Sequence, residues 1–335
     1  MAIHFGRREL IGVLGGAVAT WPLATWAQLG SARRIGVLMN GAATEVAPQS
    51  YVATFVETLR QLGWIEGQNV RVDIRWSAGD AALARIYAAQ LIGLTPDVIL
   101  ASSTTNLTAI QQGTSTVPVV FVQVSDPVEQ GFVTNLTRPG GNLTGFSMYE
   151  FAVGGKWLDL LKEIAPSLSR VGVMFNPDTS PQAKFFMRSI EAAAPSHGVQ
   201  AVVIPLRGTA DIEPAFERFS DAPNGGLILT TDTFTGMRLQ MIADLANRYR
   251  LPAISSASRF PKDGGLMYYG ANVNLTDQFR QAAGYVDRIL KGTKPGDLPI
   301  QRADKYTLII NLKTAKTLDL TVPLPLSGLA DELIE

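Results

Sequence analysis

Arg34-Ile35-Gly36-Val37-Leu38-Met39-Asn40 decides the fold, because it recurs 136 residues later as Arg170-Val171-Gly172-Val173-Met174-Phe175-Asn176. Both copies are apolar, β-rich runs that end in asparagine. Two more strand-like runs recur in the same order: residues 97–103 are answered by 226–232, and residues 117–120 by 251–254. Three matches in one order at similar spacings indicate an internal repeat. The chain is therefore expected to fold twice over one plan.

Helical patterns lie between these strands. The apolar residues of segment 51–62 recur at helical spacing and stop at Gly63, a natural helix end, and similar patterns cover about 80–93, 180–197 and 235–249. Short apolar strands that alternate with helices predict parallel sheets with helices on both faces. The predicted fold class is α/β, with two doubly wound, Rossmann-like lobes joined by a hinge.

The repeat also divides the chain into lobes. The first lobe is expected over residues 33–145 plus about 274–300, and the second over 146–273 plus about 301–335. Crossovers near 143–147, 270–275 and 298–305 would join the two lobes and favour opening and closing about a hinge.

The N-terminus has the pattern of an export signal. Arg7 and Arg8 precede an apolar, Gly- and Ala-rich run, and small residues end the segment at Ala27, so residues 1–27 are expected to be a signal peptide, possibly of the twin-arginine type. The alternative is a membrane anchor, but Pro22 interrupts the run and it is short for a span. Without cysteine, no lipid anchor or disulfide can form. A soluble periplasmic protein is expected.

Composition argues against several functions. The formal net charge is zero, and removal of residues 1–27 would leave it near −1, which does not suggest nucleic acid or an anionic membrane surface as a partner. His197 would be the one histidine left, beside Gly198 at a helix end, and there is no cysteine nucleophile, no Gly-x-Ser-x-Gly elbow and no metal-ligand spacing. No catalytic residue, metal or cofactor is expected.

Several motifs resemble one known family. They are Gly63-Trp64-Ile65-Glu66-Gly67-Gln68-Asn69-Val70, Ser125-Asp126-Pro127, Arg138-Pro139-Gly140-Gly141-Asn142-Leu143-Thr144-Gly145, Tyr285-Val286-Asp287-Arg288-Ile289-Leu290-Lys291-Gly292 and Ile310-Asn311-Leu312-Lys313-Thr314-Ala315-Lys316. From about Arg34 to its end the chain resembles the ABC-transporter substrate-binding family that includes tryptophan- and other aromatic amino-acid-binding proteins.

The resemblance implies the type I periplasmic-binding fold, with a cleft between the lobes for a small organic ligand, and delivery of that ligand to an ABC permease by a monomer. A periplasmic sensor that docks on a receptor, or a two-lobed transferase, would be the alternatives. Two departures from the family bear on the ligand. Residues 102–106 are polar where relatives often carry Gly, Pro and Ala, and Ala271 stands where many have Pro.

Candidate ligand-binding residues of the first lobe follow its strands, because doubly wound units bind ligands at the carboxyl ends of their strands. Ser103, Thr104 and Thr105 open a helix, so their hydroxyls and free N–H groups could hold a carboxylate, or they could simply cap the helix. Asp126 could accept hydrogen bonds from an amino group or initiate a turn before proline. Asn40 ends the first repeated strand.

The second lobe offers the equivalent positions. Asp232 corresponds to Ser103 or Thr104 under the repeat, so one lobe would supply donors and the other an acceptor, which suits the zwitterion of an amino acid. Aromatic walls could come from Phe234, Tyr269 and Tyr149, each of which could instead be core packing. The candidates of this lobe are Asn176, Ser180, Asp232, Phe234 and Tyr269.

Overall fold

The computed structural model describes residues 32–303 and 305–335. The expected signal peptide, residues 1–27, lies outside the described residues. The strands are β1 Arg33–Met39, β2 Val70–Trp76, β3 Val98–Ser102, β4 Val119–Val124, β5 Leu143–Ser147, β6 Arg170–Phe175, β7 Gln200–Pro205, β8 Gly225–Leu229, β9 Ala253–Ser255, β10 Met267–Ala271, β11 Gln301–Arg302, β12 Tyr306–Asn311 and β13 Glu332–Ile334. The helices are α1 Val46–Gln61, α2 Ala81–Gly93, α3 Thr104–Gly113, α4 Val153–Ile164, α5 Ala183–Ala193, α6 Ile212–Ser220, α7 Thr233–Gly236, α8 Leu239–Arg248, α9 Leu275–Leu290, α10 Leu312–Thr317 and α11 Leu324–Leu329.

Two sheets share one topology. The first has the strand order β2-β1-β3-β4-β5-β11, and the second has β7-β6-β8-β9-β10-β12-β13. The repeated runs take equivalent places, since β1, β3 and β4 of the first sheet correspond to β6, β8 and β9 of the second. The pairings are parallel except for β10 with β12, which is antiparallel. The predicted fold class, two doubly wound α/β lobes, is confirmed.

The chain passes between the sheets three times. The crossovers run from β5 to α4, from β10 to α9 and from β11 to β12, as expected from the sequence. Helix α9 therefore packs on the first sheet, where Phe279 is fully buried beside α1. Pairing of β11 with β5 extends the first sheet to Ser147 and Arg302, slightly beyond the lobe boundaries of 145 and 300, which stay a prediction.

Strand β1 shows why these residues form central strands. Ile35 and Val37 pack toward α1 and α9, whereas Leu38 packs toward α2 and α3, and each of the three is fully buried. A strand covered on both faces needs an unbroken apolar run, as the repeat provides. Leu38→Ala should cost about 2–5 kcal/mol through lost burial and the cavity that remains.

Within the described residues, no helix has the length and apolar character needed to cross a bilayer.

Candidate functional site

The carboxyl ends of the two sheets face each other across a cavity of about 280 Å³. The lobes touch directly around it. Asn40 Nδ2 donates to Thr233 Oγ1 at 2.6 Å, and Thr105 Oγ1 donates to the carbonyl oxygen of Thr179 at 3.0 Å. The molecule is therefore in a closed arrangement, with the strand-end loops of both lobes as walls.

The turn from β3 into α3 forms the first-lobe wall. Ser103 caps the helix through its hydroxyl, which accepts from the N–H of Asn106 at 3.4 Å. The fully buried Asn106 amide donates to the carbonyl of Ser102 at 2.8 Å and fixes the turn. The first N–H groups of a helix have no intrahelical acceptor. Within the described part of the chain, those of Thr104 and Thr105 donate to no protein group, and both residues line the cavity.

Gln123 adds a side-chain donor to this wall. Its Oε1 accepts from the Ser102 hydroxyl at 2.6 Å, which leaves its Nε2 as the free end of the amide. Its backbone is left-handed, with φ at 58°, where β4 breaks register with β5. The N–H of Gln123 is held at 3.0 Å by Oε1 of Gln278 on α9. Such strained backbone persists only where neighbours enforce it, and it concentrates at functional sites.

In the second-lobe wall, hydrogen bonds saturate Asp232. One carboxylate oxygen accepts from the hydroxyl of Thr179 and the N–H of Phe234, and the other accepts from the N–H groups of Asn176 and Thr235 at 3.0 and 3.1 Å. A carboxylate offers about four acceptor sites. Asp232 therefore caps α7 and ties it to the loop after β6, and its oxygens have no acceptor site left for a ligand amine.

Free acceptors do exist beside it. Gln182, only 4% exposed, donates through Nε2 to the carbonyl of Thr231 at 2.6 Å, and the Ser180 hydroxyl donates to the same carbonyl at 2.8 Å. Gln182 Oε1 and Thr231 Oγ1 are buried and have no hydrogen-bond partner within the described part of the chain. Both residues line the cavity.

The rest of the lining is mostly apolar. Tyr51 stacks on Phe279 with ring centroids 5.3 Å apart. Tyr149 is buried and its hydroxyl donates to the carbonyl of Ser256 at 2.8 Å; burial raises the pKa of Tyr149 well above its usual value. Among the described residues, the lining includes the carboxylates of Glu45 and Asp232 and no Lys, Arg or His. The remaining apolar side chains are Met39, Pro48, Met148, Met237 and Ala257.

The structure brings half of the sequence-predicted site residues to this cavity. The residues that line it are Asn40, Ser103, Thr104, Thr105 and Asp232. Tyr149, considered as an aromatic wall, lines it as well. Their contact with a ligand stays a prediction.

The other five predicted residues are engaged elsewhere. Asp126 caps a turn by accepting from the N–H of Glu129 at 3.0 Å, and Phe234 lies under the guanidinium of Arg238. Tyr269 stacks on Tyr306 with centroids 5.5 Å apart. Asn176 binds Asp232 through its backbone, and Ser180 bonds the Thr231 carbonyl, so neither faces the cavity.

Sequence reasoning missed Gln123, Gln182 and Thr231. Gln123 lies at the end of β4, and Gln182 and Thr231 lie in the loops after β6 and β8, so the strand-end rule pointed to the right parts of the chain. The signal that identifies them, an amide or hydroxyl with one end left unbonded, is visible only in the structure. No group of three or more metal-binding side chains occurs within residues 32–303 and 305–335.

Comparison with known proteins agrees with this architecture. A family model described as ABC transporter substrate binding protein matches residues 46–334. The chain belongs to this family. A tyrosine-binding protein of Clostridioides difficile is 26% identical over 266 residues, which are 79% of this chain and 75% of that protein.

Two solved structures superpose on this chain over nearly their full length. A conserved domain protein of Vibrio cholerae has a TM-score of 0.78 at 27% identity, covering 90% of this chain and 99% of that one. An ABC domain of Streptococcus pneumoniae in complex with L-Trp has a TM-score of 0.76 at 22% identity, covering 91% and 100%. The resemblance drawn from the motifs and the type I periplasmic-binding fold are both confirmed. Members of the family are substrate-binding proteins rather than enzymes, and they capture small molecules outside the cytoplasmic membrane for ABC importers.

Proposed function

We propose that this protein captures an amino acid or a similar small carboxylate in the periplasm and delivers it to an ABC permease. It acts as a soluble monomer without a lipid anchor and performs no catalysis. The observation that carries the ligand class is a pair of N–H groups, those of Thr104 and Thr105 at the start of α3, which have no acceptor within the described residues and belong to residues that line the cavity between the lobes.

The anion site uses neutral donors. The N-terminus of a helix attracts a carboxylate through its free N–H groups and its dipole. Here the Nε2 of Gln123 adds a third donor from the neighbouring strand, because its Oε1 accepts from the Ser102 hydroxyl. Because the lining has no cationic side chain, these three N–H donors are the groups that would hold the carboxylate.

The size and walls of the cavity favour one amino acid with an aromatic side chain. About 280 Å³ lies at the small end of ligand pockets. Met39, Met148 and Met237 line it, and methionine sulfur makes favourable contacts with aromatic rings. The tyrosine-binding relative and the L-Trp complex of a structural neighbour support the same class.

Closure couples binding to delivery. A ligand that contacts both lobes stabilises the closed form by its difference in affinity for the closed and open forms. The Asn40–Thr233 and Thr105–Thr179 bonds form only when the lobes meet, so they stabilise the closed form itself and reduce the free energy that the ligand must supply to close it. The permease then has a closed, loaded clamp to recognise.

The test compares Thr104→Pro with Thr104→Ala. Proline is tolerated at the first helical position and removes the backbone N–H, while alanine removes the side chain and keeps that N–H. Because proline also restricts the preceding residue, and Ser103 has a φ of 87°, the melting temperatures of the two variants are compared before their affinities. A thermal-shift panel of amino acids, aryl carboxylates, nucleosides and sugars first finds the binders, and calorimetry then gives their affinities. We expect carboxylates to bind, and Thr104→Pro to weaken them at least about 10-fold relative to Thr104→Ala. Equal affinities for the two variants, or binding confined to nucleosides and sugars, would overturn the ligand class.

A further inference from the structure

Met237 is the only exposed methionine among the described residues. Its side chain is 46% exposed, whereas the other six are buried or partly buried. The buried ones are Met39, Met174, Met187 and Met267, and the partly buried ones are Met148 and Met241. The chain has no cysteine, so a peroxide that reaches the folded protein finds only thioether sulfur. Met237 is therefore the sulfur most open to oxidation.

The sulfur of Met237 lies at a direct contact between the lobes. Met237 ends α7 of the second lobe, and Gly79 precedes α2 of the first. The Sδ of Met237 is 3.6 Å from the position that a Cβ would take on Gly79, and a methyl carbon of Thr233 is 2.8 Å from the same position. The first-lobe backbone therefore packs directly on Thr233 and Met237, at a point where even a methyl group is too large.

Met237 also borders a second cavity, which opens the sulfur to solvent species. This cavity has a volume of about 630 Å³, and both lobes line it with charged side chains: Asp80 and Arg85 from the first, Asp178 and Arg238 from the second. Met237 lines this polar cavity as well as the ligand cavity. A small, uncharged oxidant can therefore reach the sulfur while the lobes are in contact.

We propose that Met237 is a site of reversible oxidation and that its sulfoxide opposes closure of the lobes. The sulfur attacks hydrogen peroxide, an S–O bond forms as the O–O bond breaks, and the products are methionine sulfoxide and one water. The two electrons that the sulfur gives up reduce the peroxide. A methionine sulfoxide reductase reverses the change with a dithiol, which becomes a disulfide as the oxygen leaves as water.

The sulfoxide opposes closure because it makes this contact polar. Its oxygen accepts hydrogen bonds from water and must give up that hydration when the lobes meet. The N–H of Gly79 cannot replace the water, because it already donates to the carbonyl oxygen of Asn40 at 2.8 Å. Space is short as well, since Thr233 and the sulfur already fill the region around Gly79. The closed form therefore loses stability relative to the open form.

Peptide mass spectrometry after brief treatment with hydrogen peroxide tests the site of oxidation. We expect Met237 to gain one oxygen several-fold faster than Met148 and Met241, and a methionine sulfoxide reductase to remove it. The same treatment in denaturing urea is the control, because unfolding should make the three rates similar. Oxidation of Met148 or Met241 at the rate of Met237 in the folded protein would overturn the assignment.

A cysteine pair then measures closure without any ligand. The side chains of Asn40 and Thr233 meet across the lobes at 2.6 Å, so Asn40→Cys with Thr233→Cys should form a disulfide when the lobes close. The cross-linked fraction in a glutathione buffer is compared between Met237→Gln, whose amide stands in for the sulfoxide, and Met237→Leu, which is apolar. We expect Met237→Gln to lower the equilibrium constant for cross-linking at least about 5-fold relative to Met237→Leu.

The sulfoxide itself is tested in the same cysteine pair. The disulfide is formed first, Met237 is then oxidised with peroxide, and the disulfide is finally reduced with a thiol. This chain should cross-link as Met237→Gln does. Met241→Gln and Met241→Leu form the matched control, because Met241 is partly buried and lines neither cavity, and these two variants should cross-link equally.

Three results would show that the inference about closure is wrong. One is equal cross-linking of Met237→Gln and Met237→Leu, and another is unchanged cross-linking of the oxidised chain. The third is a drop in Met241→Gln as large as that in Met237→Gln, which would mean a general loosening of the second lobe. None of these measurements uses a ligand, so their failure and the failure of the proposed function are separate results.

Discussion

Asp232→Asn tests whether this carboxylate organises the second-lobe wall. Its two oxygens accept four hydrogen bonds from Thr179, Phe234, Asn176 and Thr235. An asparagine would place its NH₂ on the side where the Thr179 hydroxyl can turn and accept, which strands the N–H of Phe234. The bonds that survive would lose their charge assistance.

The expected loss of stability can be summed from these changes. A stranded buried N–H costs about 1–3 kcal/mol, and bonds to a charged group are worth roughly twice those to a neutral one. The free energy of unfolding of the second lobe should therefore fall by about 2–5 kcal/mol. Ligand affinity should fall too, because α7 and the loop after β6 would no longer be tied together. Any loss of ligand affinity in this variant would come from this loosening and not from a lost contact with the ligand, since all the acceptor sites of Asp232 are taken by protein donors.

Urea denaturation followed by tryptophan fluorescence suits this measurement, because Trp157 is fully buried in the second lobe. Asp178→Asn is the control: it lies two residues after Asn176, is exposed, and pairs with Arg207 at 3.4 Å. An exposed ion pair is worth about 0–1 kcal/mol, so this variant should unfold almost as the wild type does. A loss below about 1 kcal/mol for Asp232→Asn would refute the saturated-carboxylate account.

Three further perturbations follow from the hinge and its surroundings. Gly79→Ala puts a Cβ 2.8 Å from the methyl group of Thr233 in the opposite lobe and so hinders closure. It should lower ligand affinity about 10-fold and reduce ligand-induced compaction in small-angle scattering. Gly67→Ala, also at positive φ but with open space around it, should do neither. Gln278→Leu removes the acceptor that holds the left-handed backbone at the end of β4 and should lower affinity about 10-fold by calorimetry, while the exposed Gln281→Leu on the same helix should not. Burial raises the pKa of Tyr268 to about 12 from 10.0 in the unfolded chain, so its contribution to stability is complete below pH 10 and is lost as pH rises to 12. The free energy of unfolding from urea denaturation should therefore fall by about 2–3 kcal/mol over that window, and by less for Tyr268→Phe.

The fold could be predicted because its determinants are local and repeated. An unbroken apolar run such as 34–39 suits a central strand, because such a strand is buried on both faces, and the similar run at 170–175 predicts a second central strand. Strand order then follows from the doubly wound plan. The edge beyond β10 could not be predicted this way, because β12 runs antiparallel where β11 in the equivalent place of the first sheet runs parallel, and β13 has no counterpart in the first sheet.

The candidate site could be predicted to the level of loops. Residues 103–105 and Asp232 line the cavity because they follow equivalent strands at the ends where parallel sheets bind ligands. What the pattern could not show is how much bonding capacity each side chain keeps. Asp232 uses two of its four bonds to cap α7 locally and the other two on Thr179 and Asn176, which lie 53 and 56 residues back along the chain. The positions of those two distant partners are set by how the loop after β6 folds.

The backbone conformation of Gln123 could not be predicted from the sequence either. Nothing in its neighbourhood along the chain favours a left-handed φ, a conformation uncommon for any residue but glycine. It is maintained by Gln278, 155 residues away on the helix that follows the second crossover. The helix α9 packs against the first lobe, although the strand before it, β10, belongs to the second lobe. The position of Gln278, and with it the backbone of Gln123 at the anion site, therefore depends on the crossover between the lobes that leads into α9. A substitution at the hinge that rotates α9 should therefore alter ligand affinity without touching any residue that lines the cavity.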